Sequence, residues 1–204
     1  ALWCGRNQAV STQVKFFAPC ARGTEKILAQ ELAAIGGSNT NTTTGGVGFE
    51  GELHIGYRAC LWSRVSSRIL MPLATVDASS SDALYEGAAQ IPWLDHLDPR
   101  RTFAVHAVGG NEQLRHTRYI ALRVKDAVAD HIRERSGSRP NVDTKAPDVR
   151  IHVHVGAQDA RISLDLSGPG LHRRGLGRSQ TEAPLKENLA AAMLLMANWP
   201  QRAA

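Results

Sequence analysis

The chain is poor in aromatic residues, at 5% of its 204 positions, and it has only three cysteines, Cys4, Cys20 and Cys60. These lie far apart without Cys-x-x-Cys spacing, which argues against a disulfide framework or a zinc ribbon and points to a reducing compartment. No stretch reaches the ~20 consecutive apolar residues of a membrane span. The first thirteen residues lack the apolar centre of a signal peptide. A cytoplasmic protein with no membrane partner is therefore expected. Catalytic groupings are absent too. The acids, histidines and serines make no convincing acid–base pair or triad, and Asp165 has no evident partner. His152 and His154 stand two apart on one strand face, but no third ligand accompanies them, so no metal is expected.

What is present is a globular composition, 43% hydrophobic, long enough for one large domain or two small ones. The net charge of +5 and pI of about 9.4 permit a nucleic-acid partner without demanding one. The distribution says more. Between Arg115 and Arg139 seven Arg or Lys face three acids, a surplus of +4.

Taken in order, 14–18 predicts a short strand. Thr24 stands where a helix cap is expected, ahead of the stripe Ile27, Leu28, Leu32 and Ile35, and Gly36-Gly37 ends that helix. The threonine-rich 38–44, Gly45-Gly46 and 47–49 predict a hairpin. A second helix is expected over about 55–68, with Leu61, Val65 and Ile69 on one side. The strand 69–76 contains Pro72 and is expected at an edge. This β-α-β-β-α-β order is ferredoxin-like. A polar linker at 77–82 leads to a short helix at 83–90, below which Trp93, Leu94 and Leu97 are expected to pack. The strand 102–108 is apolar on both faces, so both are expected to be buried. The longest helix, about 116–135, carries the apolar stripe Ile120, Val124, Ala127, Val128 and Ile132.

The stretch 139–175 is the most informative. Val149, Ile151, Val153 and Val155 alternate with Arg150, His152 and His154. After a turn at 156–159, Ile162, Leu164 and Leu166 alternate with Arg161, Ser163 and Asp165. This predicts an antiparallel hairpin with one buried face. Ser167-Gly168-Pro169-Gly170 and Leu171-His172-Arg173-Arg174-Gly175 follow, where Gly168, Gly170, Gly175 and Gly177 are candidates for a backbone nest around phosphate. A final helix is expected over 185–199, with Leu185, Leu189, Met193 and Met196 along one side.

The ordered strings RPNVD, APDVRI, LDLSG and LHRRG resemble the THUMP module of the bacterial large-subunit ribosomal RNA guanine-N2 methyltransferases of the L or K/L family. GGVGFEG (45–51), LWSRVSSRILMPLA (61–74), FAVHAVG (103–109), RYIALRVKDAV (118–128) and APLKENLAAA (183–192) extend the resemblance over residues 16–199. The resemblance implies an α+β fold, an α/β sandwich. Residues 1–13 would be a leader or tail, 14–76 a ferredoxin-like subdomain, and 77–168 the THUMP core, with a family boundary near 49 as the alternative. Residues 169–204 would form a connector and helix leading to a methyltransferase domain. That domain's glycine loop for S-adenosylmethionine and its Asn-Pro-Pro-Tyr motif have no counterpart here. No cofactor is expected in these residues, S-adenosylmethionine is expected for the parent enzyme, and the 204 residues alone are not expected to be catalytic.

The partners implied are ribosomal RNA and the attached methyltransferase domain. The residues expected to contact RNA are Arg115, Arg118 and Lys125 around the basic helix, Arg139, Asn141 and Lys145 in the proline-bearing loop, and Arg173, Arg174 and Arg178. Family members follow His-x-Arg-Gly with a Tyr-Arg pair, whereas Leu176 and Gly177 stand here. Two alternatives remain: a THUMP module serving thiouridine or acetyl transfer on tRNA, or a docking unit that touches no RNA.

Overall fold

The computed structural model describes residues 13–174 and 185–199. Its first half follows the expected order: β1 (Val14–Pro19), α1 (Glu25–Ile35), β2 (Ser38–Thr43), β3 (Gly46–Gly51), α2 (Leu53–Trp62) and β4 (Leu70–Asp77). The second half contains α3 (Ser81–Ala89), a 3-10 turn at Trp93–Asp95, β5 (Phe103–Gly109), α4 (Thr117–Ser136), β6 (Val149–Val155) and β7 (Asp159–Asp165), and α5 (Glu187–Met196) follows.

The strands form one seven-stranded sheet in the order β2-β3-β1-β4-β7-β6-β5. Among the described strands, only β5 and β6 run parallel, joined by the α4 crossover. The other pairs are antiparallel. Two cores sit on this sheet. Phe16, Val47 and Phe49 pack with Leu28, Leu32 and Ile55 of α1 and α2. Phe103, Ile151, Val153 and Ile162 pack with Leu84 of α3 and the stripe of α4. Met71 belongs to the first group and Leu164 to the second. They stand directly opposite each other across β4 and β7, and such cross-strand partners share a face. Both helix pairs therefore cover the same side of the sheet, and among the described residues the other side carries no helix.

Several local expectations meet a different outcome. Thr24 occupies the cap position, but its hydroxyl donates to the Ala21 carbonyl at 2.7 Å instead of accepting from the helix. Helix α2 stops at Trp62, short of the expected residue 68, and Leu61 is 68% exposed. The cause is Glu31. Its carboxylate accepts from the Ser63 hydroxyl at 2.7 Å and from the amides of Arg64 at 2.9 Å and Val65 at 3.3 Å. Those amides would otherwise continue the helix ladder. Val65 and Ile69 are buried as expected, from non-helical backbone.

Strand β4 lies inside the sheet, not at its edge. Pro72 is tolerated because it sits beside a bulge against β7 and beyond the lone β1 pairing at Leu70. Trp93 and Leu97 are buried, but Leu94 is exposed. On β5, Phe103 and Ala107 are buried while His106 is exposed, so its second face is open. Helix α5 turns most of its expected stripe outward, with Leu189 half-buried. Asn188 and Ala192 are buried, whereas Leu185, Met193 and Met196 are each 56% exposed.

Candidate nucleic-acid interface

Most of the expected cations lie toward the two ends of the sheet, while Lys125 stands midway along α4. Helix α4 has 20 residues, which at ~1.5 Å rise per residue is roughly 30 Å. Arg115 and Arg118 are at its N-terminal end. There Gly110 donates to the Val155 carbonyl at 3.2 Å, and the Asn111 side chain donates to the Ala78 carbonyl at 2.8 Å. Arg139, Asn141 and Lys145 lie at the opposite end. That loop is tied to β5 through Phe103 N–H to the Asn141 carbonyl at 3.0 Å and Asp143 N–H to the Phe103 carbonyl at 3.1 Å. Arg173 and Arg174 follow β7, whose last residue, Asp165, pairs with Arg150 near the start of β6. They belong to the same end as the 139–145 loop.

These side chains are not equally available. Lys125 contacts Asp126 at 2.6 Å, and Arg139 approaches the same carboxylate at 4.0 Å. Arg174 is committed within the fold. Its guanidinium donates to the carbonyls of Leu61 at 2.6 Å, Ser63 at 2.7 Å, Cys60 at 3.0 Å and Leu171 at 3.2 Å. These include orphan carbonyls left where α2 ends, so Arg174 acts as that helix's cap. Arg115, Arg118, Lys145 and Arg173 are exposed and make no ion pair among the described residues. Asn141 is exposed as well.

The loop bearing Lys145 is held by Asp143. One of its carboxylate oxygens accepts from the amides of Lys145 at 2.8 Å and Ala146 at 3.1 Å. The Ala146 and Lys145 amides hold that carboxyl below the ordinary aspartate range. Gly168 adopts φ +64° and its carbonyl accepts from Arg68 at 3.1 Å. Of the other glycines expected in the nest, Gly175 and Gly177 lie outside the described residues, as does Arg178.

The helix-free side of the sheet brings together residues that sequence spacing left unconnected. Ser163, His152 and His106 fall in one cross-strand row, and Arg161, His154 and Val108 in the next. With Phe17, Pro19 and Thr43 from the first half, and with Arg68 between, they line a cavity of about 460 Å³. The rings of His106 and His152 lie 5.7 Å apart. Burial, the neighbouring His106 and the Arg68 charge push His152 down to about 4. Burial chiefly, helped by Arg68, lowers His106. The Arg161 guanidinium lies 5.9 Å from the centre of the Phe17 ring. Asp165, for which no general-base partner was evident in the sequence, is bonded to Arg68 and accepts from the Ser167 amide at 2.9 Å. Alternation had already placed His152 with His154 and Arg161 with Ser163. What it lacked was the strand order that sets Phe17, Arg68 and His106 beside them. A larger cavity of about 710 Å³ between β4 and α3 is lined by no Lys or Arg. Among the described residues no cluster of three metal-ligating side chains occurs, and no helix is long and apolar enough to cross a membrane.

Comparison with known proteins agrees with this architecture. Residues 15–70 match the RlmL ferredoxin-like domain, and residues 78–165 match the THUMP domain. The chain is 48% identical over 189 residues to a ribosomal RNA large subunit methyltransferase K/L from Magnetococcus marinus, covering 93% of this chain and 26% of that protein. A protein of the same name from Syntrophotalea carbinolica is also 48% identical, over 92% of this chain and 26% of its own length. The chain thus spans about a quarter of the length of the curated relatives it matches. Among solved structures, one described as a predicted N6-adenine-specific DNA methylase from Listeria monocytogenes superposes with a TM-score of 0.78. It is 30% identical, over 91% of this chain and 48% of that one.

Proposed function

We propose that this chain, homologous to the N-terminal region of the bacterial ribosomal RNA large-subunit methyltransferase K/L family, captures structured ribosomal RNA on behalf of a methyltransferase domain. The carrying observation is the joining of a ferredoxin-like and a THUMP unit in one sheet that presents cations without acidic partners. Arg115, Arg118, Lys145 and Arg173 are the phosphate contacts in this reading, with Asn141 beside Lys145 and Arg178 as a further candidate. Lys125 and Arg139 share Asp126, so their contribution is smaller. Arg174 acts by holding the Arg173 loop against α2. Base extrusion and methyl transfer from S-adenosylmethionine to a guanine N2 fall to the methyltransferase domain, in the cytoplasm. A-form RNA hides its major groove, so cations at two ends of a rigid sheet read backbone spacing and shape, not sequence.

Filter binding of the chain to a large-subunit RNA fragment over a salt series tests this. Four phosphate contacts predict a log–log slope of about −3 to −4. Affinity independent of salt refutes it. A protein-docking role has one observation in its favour, the exposed Met193, Leu194, Met196 and Trp199 at the α5 end. Concentration-dependent dimerisation together with no RNA binding would support that reading instead.

A further inference from the structure

We propose that the helix-free side of the sheet is a second RNA site, which takes one or two unpaired nucleotides with a base against Phe17, His106 and His152 and a phosphate against Arg161. This deepens the RNA-capture reading and rests on it.

The sheet's two sides differ sharply. One is covered by α1 to α4, and the other is open yet not merely solvated. It carries a phenyl ring, three imidazoles and two guanidiniums around a cavity of about 460 Å³. That is within the ~300–1,000 Å³ of small-ligand sites. No carboxylate lines it. Arg161 is exposed, makes no ion pair among the described residues and lies above the Phe17 ring. Arg68 is balanced by Asp165, so the surplus positive charge of the cavity rests on Arg161.

The chemistry favours a base over a free anion. A small anion needs converging donors but has no use for aromatic faces. A nucleobase uses both, through stacking on flat side chains and hydrogen bonds along its edge. Neutral imidazoles suit this, because each offers one donor and one acceptor, and partial burial of the His106 and His152 rings shifts both toward the neutral form. The Ser163 hydroxyl and the Thr43 and Thr44 side chains add polar groups to the lining. A perfect duplex keeps its base faces stacked and cannot fill this site, whereas a loop, bulge or strand end can.

The test is fluorescence anisotropy of the full 204-residue chain with two probes, a ten-nucleotide single-stranded RNA and a blunt twelve-base-pair RNA duplex. The parent is expected to bind both. A Phe17→Ala, His152→Ala double variant should lose about tenfold in affinity for the single strand, and duplex affinity should stay within about twofold. Arg161→Gln, at an exposed position, should lose about threefold for the single strand and melt like the parent. It decides the matter if the double variant fails to fold. The proposal is overturned if these variants bind the strand as the parent does, or if both probes weaken equally. If the duplex binds with the expected salt slope but the strand does not bind, this site alone is refuted. If neither probe binds, the RNA-capture reading falls with it.

Discussion

Both halves of the sheet bury an apolar core, but they close it with different materials. In the THUMP half, α4 lays Ile120, Val124, Ala127, Val128 and Ile132 on the strands, each 0% exposed. Trp93 fills the space below α3, and its indole N–H reaches the Ala88 carbonyl at 2.8 Å. In the ferredoxin-like half, the link from α2 to β4 has little regular structure, and polar side chains hold it. Glu31 gathers Ser63, Arg64 and Val65, and Arg174 caps the carbonyls of α2 from more than a hundred residues away. Apolar burial tolerates small shifts. A buried carboxylate serving several donors does not, because each donor it abandons stays desolvated. The first half is therefore the more exactly specified and the more easily broken by one polar change.

Substitutions sharpen this contrast. The largest effect is expected from Trp93→Ala. It should cost about 3–5 kcal/mol, through lost burial and the cavity left behind, measured by urea denaturation. Glu31→Ala should cost about 3 kcal/mol, despite the small side chain removed, because two amides and a hydroxyl lose their acceptor. Amide hydrogen exchange should then rise first over residues 14–69. A uniform rise across all seven strands would show that the two halves open as one unit, contrary to the contrast drawn. Arg174→Ala should cost about 1–2 kcal/mol by uncapping α2, with fraying confined to α2 and the 63–69 link. Its neighbour is the smallest case. Arg173→Ala should change stability by no more than about 0.5 kcal/mol, while flattening the salt slope of RNA binding by about one. Reversed behaviour of Arg173 and Arg174 would overturn the roles assigned to them.

Much of the fold was legible because its signals are local. The 3.6-residue stripe of α4, the period-two alternation of β6 and β7 and the glycine pair ending α1 all act within a few residues. The ends of elements were less legible. Nothing near Ser63 announces that Glu31, more than thirty residues away, takes its amides. Pro72 announced an edge, but a bulge lets it sit inside the sheet. The predicted stripe of α5 faced outward because an isolated apolar helix does not reveal which side its neighbour will cover. For the site, charge runs located candidate cations, but their spacing along the chain could not separate Arg173 from Arg174.

By itself the amino-acid sequence determined the ferredoxin-like order, the basic helix, the final hairpin and which side of β6 and β7 is apolar, since these follow from backbone propensity and side-chain period. Only the tertiary structure decided that both helix pairs lie on one side of a single sheet. It also decided that Arg174 is a cap and that Phe17, Arg68, His106, His152 and Arg161 share one cavity. The reason is physical: strand order and long-range hydrogen bonds are set by the packing of distant segments, and no local pattern of residues encodes which distant partner will be nearest.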